Sequence, residues 1–297
     1  MECMNAPMFH GVSPRATLAL GLALLLVAVL AGCRGVPQRP APVDGGDGGG
    51  PFATVEHGEV RSSTGCAIAY DLYRPQEPAT DAVVVLGHGF LRSREHMAGL
   101  AHAIAAAGIS TAALDFCNMR FWDGNHLQNG KDMITLARHL AGRREGREAV
   151  YAGFSAGGLA AVVAGRQDAD AVGVVVLDLV DRDKIGVAAA SGLDKPLIGL
   201  VGEPSACNAD NNGLAVLAVH PRSEIIPVPG ASHCDFETPT DGLCRLICES
   251  GADSGESSPR PRIVALTTRA VAALLGVGTA LEATPGGSGD AAATDGP

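Results

Sequence analysis

The residues with the clearest chemical meaning are 153–157, which read Gly-Phe-Ser-Ala-Gly. An apolar run at 149–152 precedes them and a run of small residues at 159–164 follows, so the pattern predicts a strand, a sharp turn and a helix. A serine raised on such a turn leaves little room two positions before and after it, which accounts for both glycines. The first N–H groups of the following helix favour negative charge developing beside the serine. The motif predicts that Ser155 is a nucleophile; the alternative is a glycine-rich packing turn that carries a surface serine.

A serine nucleophile needs a base, and His233 is the histidine best placed to be one. It lies in the segment Pro-Gly-Ala-Ser-His-Cys-Asp at 229–235, directly after the last predicted strand. It also follows the serine in the chain, as the order serine, acid, histidine requires. By contrast, His57 falls in an early strand, and His102 and His139 fall within predicted helices. The sequence therefore predicts His233 as the general base.

The third member of the set, a carboxylate that orients the histidine, is left open by the residues alone. Asp178 ends the apolar run 171–177, and Glu203 follows the end of the next strand, 197–201. Asp181 and Asp210 lie further into the same two loops, where each could equally cap a helix. Asp178 is the preferred acid, and Glu203 is the alternative.

Two backbone N–H groups are expected to hold the oxyanion that forms on attack. One belongs to Ala156, the residue after the serine, and the other comes from the loop after the strand 82–86. That loop reads Gly-His-Gly-Phe-Leu, which makes Phe90 the expected donor and Leu91 the next candidate. We expect His88 to hold this loop in place by hydrogen bonds rather than to take part in the chemistry.

A folded domain must position these residues. The sequence predicts one such domain, at 52–277. Short apolar runs alternate with helical patterns through this region, which predicts a mostly parallel sheet covered by helices on both faces. Ligands bind at the carboxyl ends of the strands of such sheets, and Ser155 ends one of them. No insertion is long enough for a large cap domain, so we expect an open cleft.

The N-terminal segment predicts export. Arg15 precedes an apolar run at 18–30 that ends in Leu-Ala-Gly-Cys, so residues 1–32 have the pattern of a secretory signal. The cysteine resembles that of a bacterial lipobox, which implies that Cys33 is lipidated and anchors the chain to a membrane. Residues 33–51 are rich in Pro and Gly and read as a flexible tether, and 278–297 as a disordered tail. We therefore expect a membrane-anchored lipoprotein on the periplasmic side or at the cell surface.

Cysteine content and net charge indicate which cross-links and which ligands to expect. Beyond Cys3 and Cys33, six cysteines remain, and an even number in an exported chain favours disulfides. A metal site at His233, Cys234, Cys244 and Cys248 is disfavoured because a single Cys-x3-Cys spacing fits zinc poorly. The net charge of −10 does not favour nucleic-acid binding. We expect no cofactor, no metal and a monomer.

Taken together, the His-Gly-Phe loop at 88–90, the elbow at Ser155 and the Gly-Ala-Ser-His segment at 230–233 resemble the α/β-hydrolase superfamily. The chain is also similar to small serine esterases of the chlorophyllase and cutinase-like kind, and the Leu-Asp pair that ends in Asp178 resembles lipases and chlorophyllases. It departs from them in having Leu179 where proline is common. The resemblance implies hydrolysis of a small-molecule or polymeric ester. The alternatives are a lipase or peptidase on the same fold, or a surface lipoprotein that binds without catalysis.

Overall fold

A computed structural model of the chain describes residues 54–118, 124–142, 146–248 and 258–278. The predicted signal segment, Cys33 and the tether lie outside these ranges, as does the predicted tail beyond residue 278. In the part of the chain that is described, no helix has both the length and the apolar character needed to cross a membrane.

Within the described residues, eight strands form one sheet in the order β1-β2-β4-β3-β5-β6-β7-β8. β1 pairs antiparallel with β2 and β2 antiparallel with β4, while every other pairing is parallel. The prediction of a mostly parallel sheet is therefore confirmed. The strands are β1 (Thr54–Arg61), β2 (Ala67–Arg74), β3 (Val83–Gly87), β4 (Ser110–Leu114), β5 (Ala149–Phe154), β6 (Ala171–Leu177), β7 (Leu197–Val201) and β8 (Ser223–Pro227).

Helices cover both faces of this sheet. One apolar core lies under α2, α3, α4 and α5, and a second lies under α1 and α7 on the opposite face. The central strands β3 and β5 are buried along their whole length, which explains why they read as unbroken apolar runs. The helices are α1 (Ala98–Ala106), α2 (His126–Ala141), α3 (Ala156–Gln167), α4 (Ile185–Ser191), α5 (Leu214–Ala218), α6 (Gly242–Cys248) and α7 (Arg260–Leu274).

Helix α3, which follows the serine, packs closely against its neighbours, and many of its residues are small. Every residue from Gly157 to Gly165 is buried. On the facing helix α2, a Cβ at Gly130 would come within 2.6 Å of a methyl carbon of Val163. That contact explains why a glycine sits in the interior of α2, four residues after the helix begins. The glycine costs helix propensity but allows the two helices to meet.

Three disulfides join the six cysteines of the described residues, so the expectation of disulfides is confirmed. Cys66–Cys117 ties the start of β2 to the loop after β4. The other two both end on α6, where Cys248 bonds Cys207 and Cys244 bonds Cys234. No thiolate of this group is free for a metal, because each sulfur is in a disulfide.

Candidate active site

Ser155 lies at the turn between β5 and α3 with φ 53° and ψ −118°, a backbone conformation that side chains rarely adopt. Its N–H donates to the Leu177 carbonyl at 2.9 Å, which fixes the turn against β6. A Cβ at Gly153 would overlap the backbone of Gly157, and one at Gly157 would overlap the carbonyl oxygens of Gly87 and His88. Both glycines of the motif are therefore required by close backbone contact.

A chain of hydrogen bonds links the serine to a histidine and a carboxylate. Ser155 Oγ lies 3.1 Å from His233 Nε2, and His233 Nδ1 lies 2.6 Å from Asp178 Oδ2. The three residues are 7%, 6% and 1% exposed, respectively. His233 begins a short 3-10 turn after β8, and its ring packs against Phe154 at a centroid distance of 4.6 Å. The geometry is that of a serine whose proton can move to a histidine oriented by a carboxyl group.

The Asp178 carboxylate is fixed through both of its oxygens. It follows β6 directly, and its own N–H donates to the Leu200 carbonyl at 2.8 Å. Oδ1 accepts the Gly202 N–H at 2.9 Å, while Oδ2 accepts from both His233 and the side-chain amide of Asn208, the latter at 3.1 Å. Because both oxygens are engaged, the oxygen that faces His233 is held in place.

The other three candidate acids make different contacts. Glu203 is exposed, and its carboxylate accepts the Gly230 N–H at 3.0 Å. Asp181 caps the start of α4 by accepting the N–H groups of Gly186 and Val187. Asp210 is exposed in the loop after β7. Only Asp178, among the four, is brought to His233.

The loop after β3 meets the serine turn at the same edge of the sheet. Gly87 lies opposite Gly153 in the register of β3 and β5, and a Cβ at Gly89 would lie 2.9 Å from the Phe154 ring. A turn closed by the Arg92 N–H to the Gly89 carbonyl then presents Phe90 at the surface. Ala156 is the first residue of α3, so its N–H has no acceptor within the helix.

The buried His88 side chain fixes this loop through hydrogen bonds. It is buried, with Nδ1 2.7 Å from the Gly89 carbonyl oxygen and Nε2 accepting the Phe116 N–H at 3.2 Å. These contacts require a proton on Nδ1 and none on Nε2, which is the neutral ring. Burial lowers the pKa of His88 below its ordinary value, an effect that the hydrogen bond to Gly89 opposes.

An ion pair that the sequence analysis missed joins the loop after β3 to the segment after His233. Arg92 Nε lies 2.7 Å from Glu237 Oε2, and Arg92 Nη2 lies 3.0 Å from Asp241 Oδ1. Glu237 is wholly buried and also accepts from Thr240. Arg92 and Glu237 are 145 positions apart, so no local pattern could have paired them.

Comparisons with known proteins show the architecture. No protein-family model and no curated protein sequence matches the chain. Its structure resembles that of a dienelactone hydrolase from Anabaena variabilis, with a TM-score of 0.56, 18% identity and coverage of 73% of this chain and 96% of that one. The chain has the α/β-hydrolase fold. A second structural neighbour is DcsB, solved in complex with its substrate analogue, at a TM-score of 0.56, 12% identity and coverage of 73% of this chain and 97% of that one.

The α/β-hydrolase elbow generates a first prediction, on stability. Gly157→Ala would force a methyl group into the carbonyls of Gly87 and His88, and we expect it to lower the free energy of unfolding by about 1–3 kcal/mol or more. Gly242→Ala is the matched control, because nothing lies within 4 Å of a Cβ there. Urea unfolding measures both. Equal stability of the two variants would show that the close contact at Gly157 does not exist.

A second prediction concerns His88 and pH. The unfolded chain takes up a proton at His88 as pH falls below 6.5, whereas the folded protein, with its lowered pKa, does not. The stabilisation that comes from keeping His88 neutral is therefore fully present above pH 6.5. Below that pH, the free energy of unfolding falls by up to about 1.4 kcal/mol per pH unit. His88→Gln keeps an acceptor for the Phe116 N–H but does not titrate. We expect its free energy of unfolding to fall less than that of the wild type between pH 6.5 and 5.5; parallel curves would contradict this.

Proposed function

We propose that the protein is a serine hydrolase that cleaves carboxylic esters through an acyl-enzyme. The observation that carries the proposal is the buried, continuous hydrogen-bonded chain from Ser155 through His233 to Asp178. The elbow supports it further, because its strained serine sits at the start of a helix, where negative charge is favoured.

In the proposed first half-reaction, Ser155 Oγ attacks the ester carbonyl carbon while its proton passes to His233 Nε2. Asp178 stabilises the resulting imidazolium through Nδ1. The N–H groups of Ala156 and Phe90 hold the oxyanion, and each such donor contributes about 3 kcal/mol to lowering the barrier. When the carbon–oxygen bond of the ester breaks, His233 returns the proton to the leaving alcohol.

In the second half-reaction, water replaces the alcohol. His233 takes a proton from this water, whose oxygen attacks the acyl carbon, and then protonates Ser155 Oγ as the acid product leaves. The second half-reaction thus mirrors the first, with water in place of the alcohol. Both use the same base, orienting acid and oxyanion donors.

Esters are favoured as the substrate class by the surface beside the serine. Phe90 and Leu91 are 38% and 54% exposed on the oxyanion loop, so they offer an apolar wall for an acyl or alcohol group. One structural neighbour is named a dienelactone hydrolase, and a lactone is a cyclic ester.

A test of the mechanism compares four proteins on a series of p-nitrophenyl esters. We expect Ser155→Ala to abolish turnover and Asp178→Asn to reduce kcat by about 10⁴-fold, because the amide favours the wrong histidine tautomer. Glu203→Gln is the matched control, since its amide oxygen can still accept the Gly230 N–H, and we expect nearly wild-type rates. A larger loss in Glu203→Gln than in Asp178→Asn would reject Asp178 as the acid.

We further propose that the protein is exported and anchored by a lipid on Cys33. Three disulfides within one domain support an oxidising compartment. The motif Leu-Ala-Gly-Cys that ends at Cys33 supports the anchor.

For the anchor, we expect Cys33→Ser to move the protein from the membrane to the soluble fraction of the producing bacterium. Immunoblots of the two fractions measure the change, with Cys3→Ser as the matched control. Unchanged partitioning of Cys33→Ser would reject lipidation at this position.

A further inference from the structure

Asn208 lies outside the serine, histidine and acid set but contacts it. It ends the short 3-10 turn Ala206–Asn208 that follows β7, and its side chain is 0% exposed. Its Nδ2 donates to Asp178 Oδ2 at 3.1 Å, and this is the same oxygen that lies 2.6 Å from His233 Nδ1.

The rest of the Asn208 amide determines which way it points. Oδ1 accepts the N–H groups of Ser205 and Asn211 at 2.8 and 3.1 Å. Nδ2 also donates to the Glu203 carbonyl at 2.8 Å. Two backbone donors on one side and a backbone carbonyl on the other fix the oxygen and nitrogen, because a flipped amide would face N–H with N–H. The amide donor is therefore held toward Asp178.

We propose that Asn208 is a positioning residue for Asp178, fixing the carboxylate oxygen that orients His233. The inference rests on the proposed function, because it assigns a role within the same site. With Gly202 N–H on Oδ1 and Asn208 on Oδ2, rotation of the carboxylate breaks a hydrogen bond at either oxygen. A carboxylate with a fixed direction keeps the imidazole aligned with Ser155.

A disulfide holds the turn that carries Asn208. Cys207, its neighbour, is bonded to Cys248 of α6, and Cys244 of the same helix is bonded to Cys234, the neighbour of His233. The segments that carry the amide and the base are thus both cross-linked to one short helix. This arrangement limits how far the Asn208 turn can move from the site.

The other charged groups near the Asn208–Asp178 contact are exposed or pair with different residues. Glu203 and Asp210, in the same loop, are exposed. Asp235, two residues after His233, accepts from Ser232 and pairs with Arg260 at 3.3 Å. A new charge at position 208 would therefore act mainly on Asp178 and His233.

Asn208→Asp separates the positioning role from a role in building the loop. The new carboxylate can still accept the N–H groups of Ser205 and Asn211, so the turn keeps those contacts, but when ionised it can donate neither to Asp178 nor to the Glu203 carbonyl. It also places a second carboxylate beside the first, and at pH values where both are ionised the pair carries extra negative charge. Asn212→Asp is the matched control, because Asn212 also bonds the backbone with both atoms, accepting from Asp181 N and donating to Asp181 O.

Two readouts test the role: the pH profile of kcat/KM for an ester, and the proton NMR signal of the His233 Nδ1–H. We expect Asn208→Asp to lower kcat/KM at least about tenfold and to move the acid limb up by about half a pH unit or more, because added negative charge stabilises the imidazolium. We expect the Nδ1–H signal to shift or vanish. Asn212→Asp should change neither readout.

The outcomes that overturn the proposal are distinct from failure of the proposed function. An Asn208→Asp protein with the pH profile and Nδ1–H signal of the wild type overturns it, even if the melting temperature has fallen, since that is a purely structural role. Should the wild type hydrolyse no ester, the proposed function fails. The NMR signal still decides the positioning role, with Asp178→Asn as the reference for a lost contact.

Discussion

The site depends on one close approach of backbone to backbone. The turn at Ser155 packs against the end of β3 so tightly that a single methyl group at Gly157 would overlap two carbonyl oxygens. This contact places the loop after β3 beside the serine and lets α3 start directly after the serine. Because α3 is built of small residues, it can lie directly on the sheet and on α2 while keeping that position.

The second feature of the site is a buried series of hydrogen-bonded polar side chains. Ser155, His233 and Asp178 come from three separate segments, and each would be costly to bury without its partners. Backbone N–H groups, the Asn208 amide and the Arg92–Glu237 ion pair fix the loops that bring them together. The two disulfides on α6 reinforce the loops after β7 and β8 covalently.

The sequence predicted those features of the site that depend on residues close together in the chain. The glycine spacing around Ser155, the unbroken apolar strands and the position of His233 after the last strand each follow from short-range rules. For the acid, the sequence favoured Asp178 but left Glu203 as an alternative, because several carboxylates follow adjacent strand ends and only packing separates buried Asp178 from exposed Glu203. Asn208 gave no signal, since a buried amide in an irregular loop has no periodicity. The short helices α4 and α6 were also missed, as they depend on tertiary contacts.

The central claim is that Ser155 is a nucleophile activated by His233 and Asp178. Reaction with a fluorophosphonate tests it most directly, because the serine oxygen displaces fluoride and keeps the phosphonyl group, whatever the natural substrate is. Peptide mass mapping should find one phosphonyl group, on Ser155, with labelling far slower in Asp178→Asn and absent in Ser155→Ala. Labelling of Ser155→Ala as fast as the wild type, or no labelling of the wild type, would contradict the account.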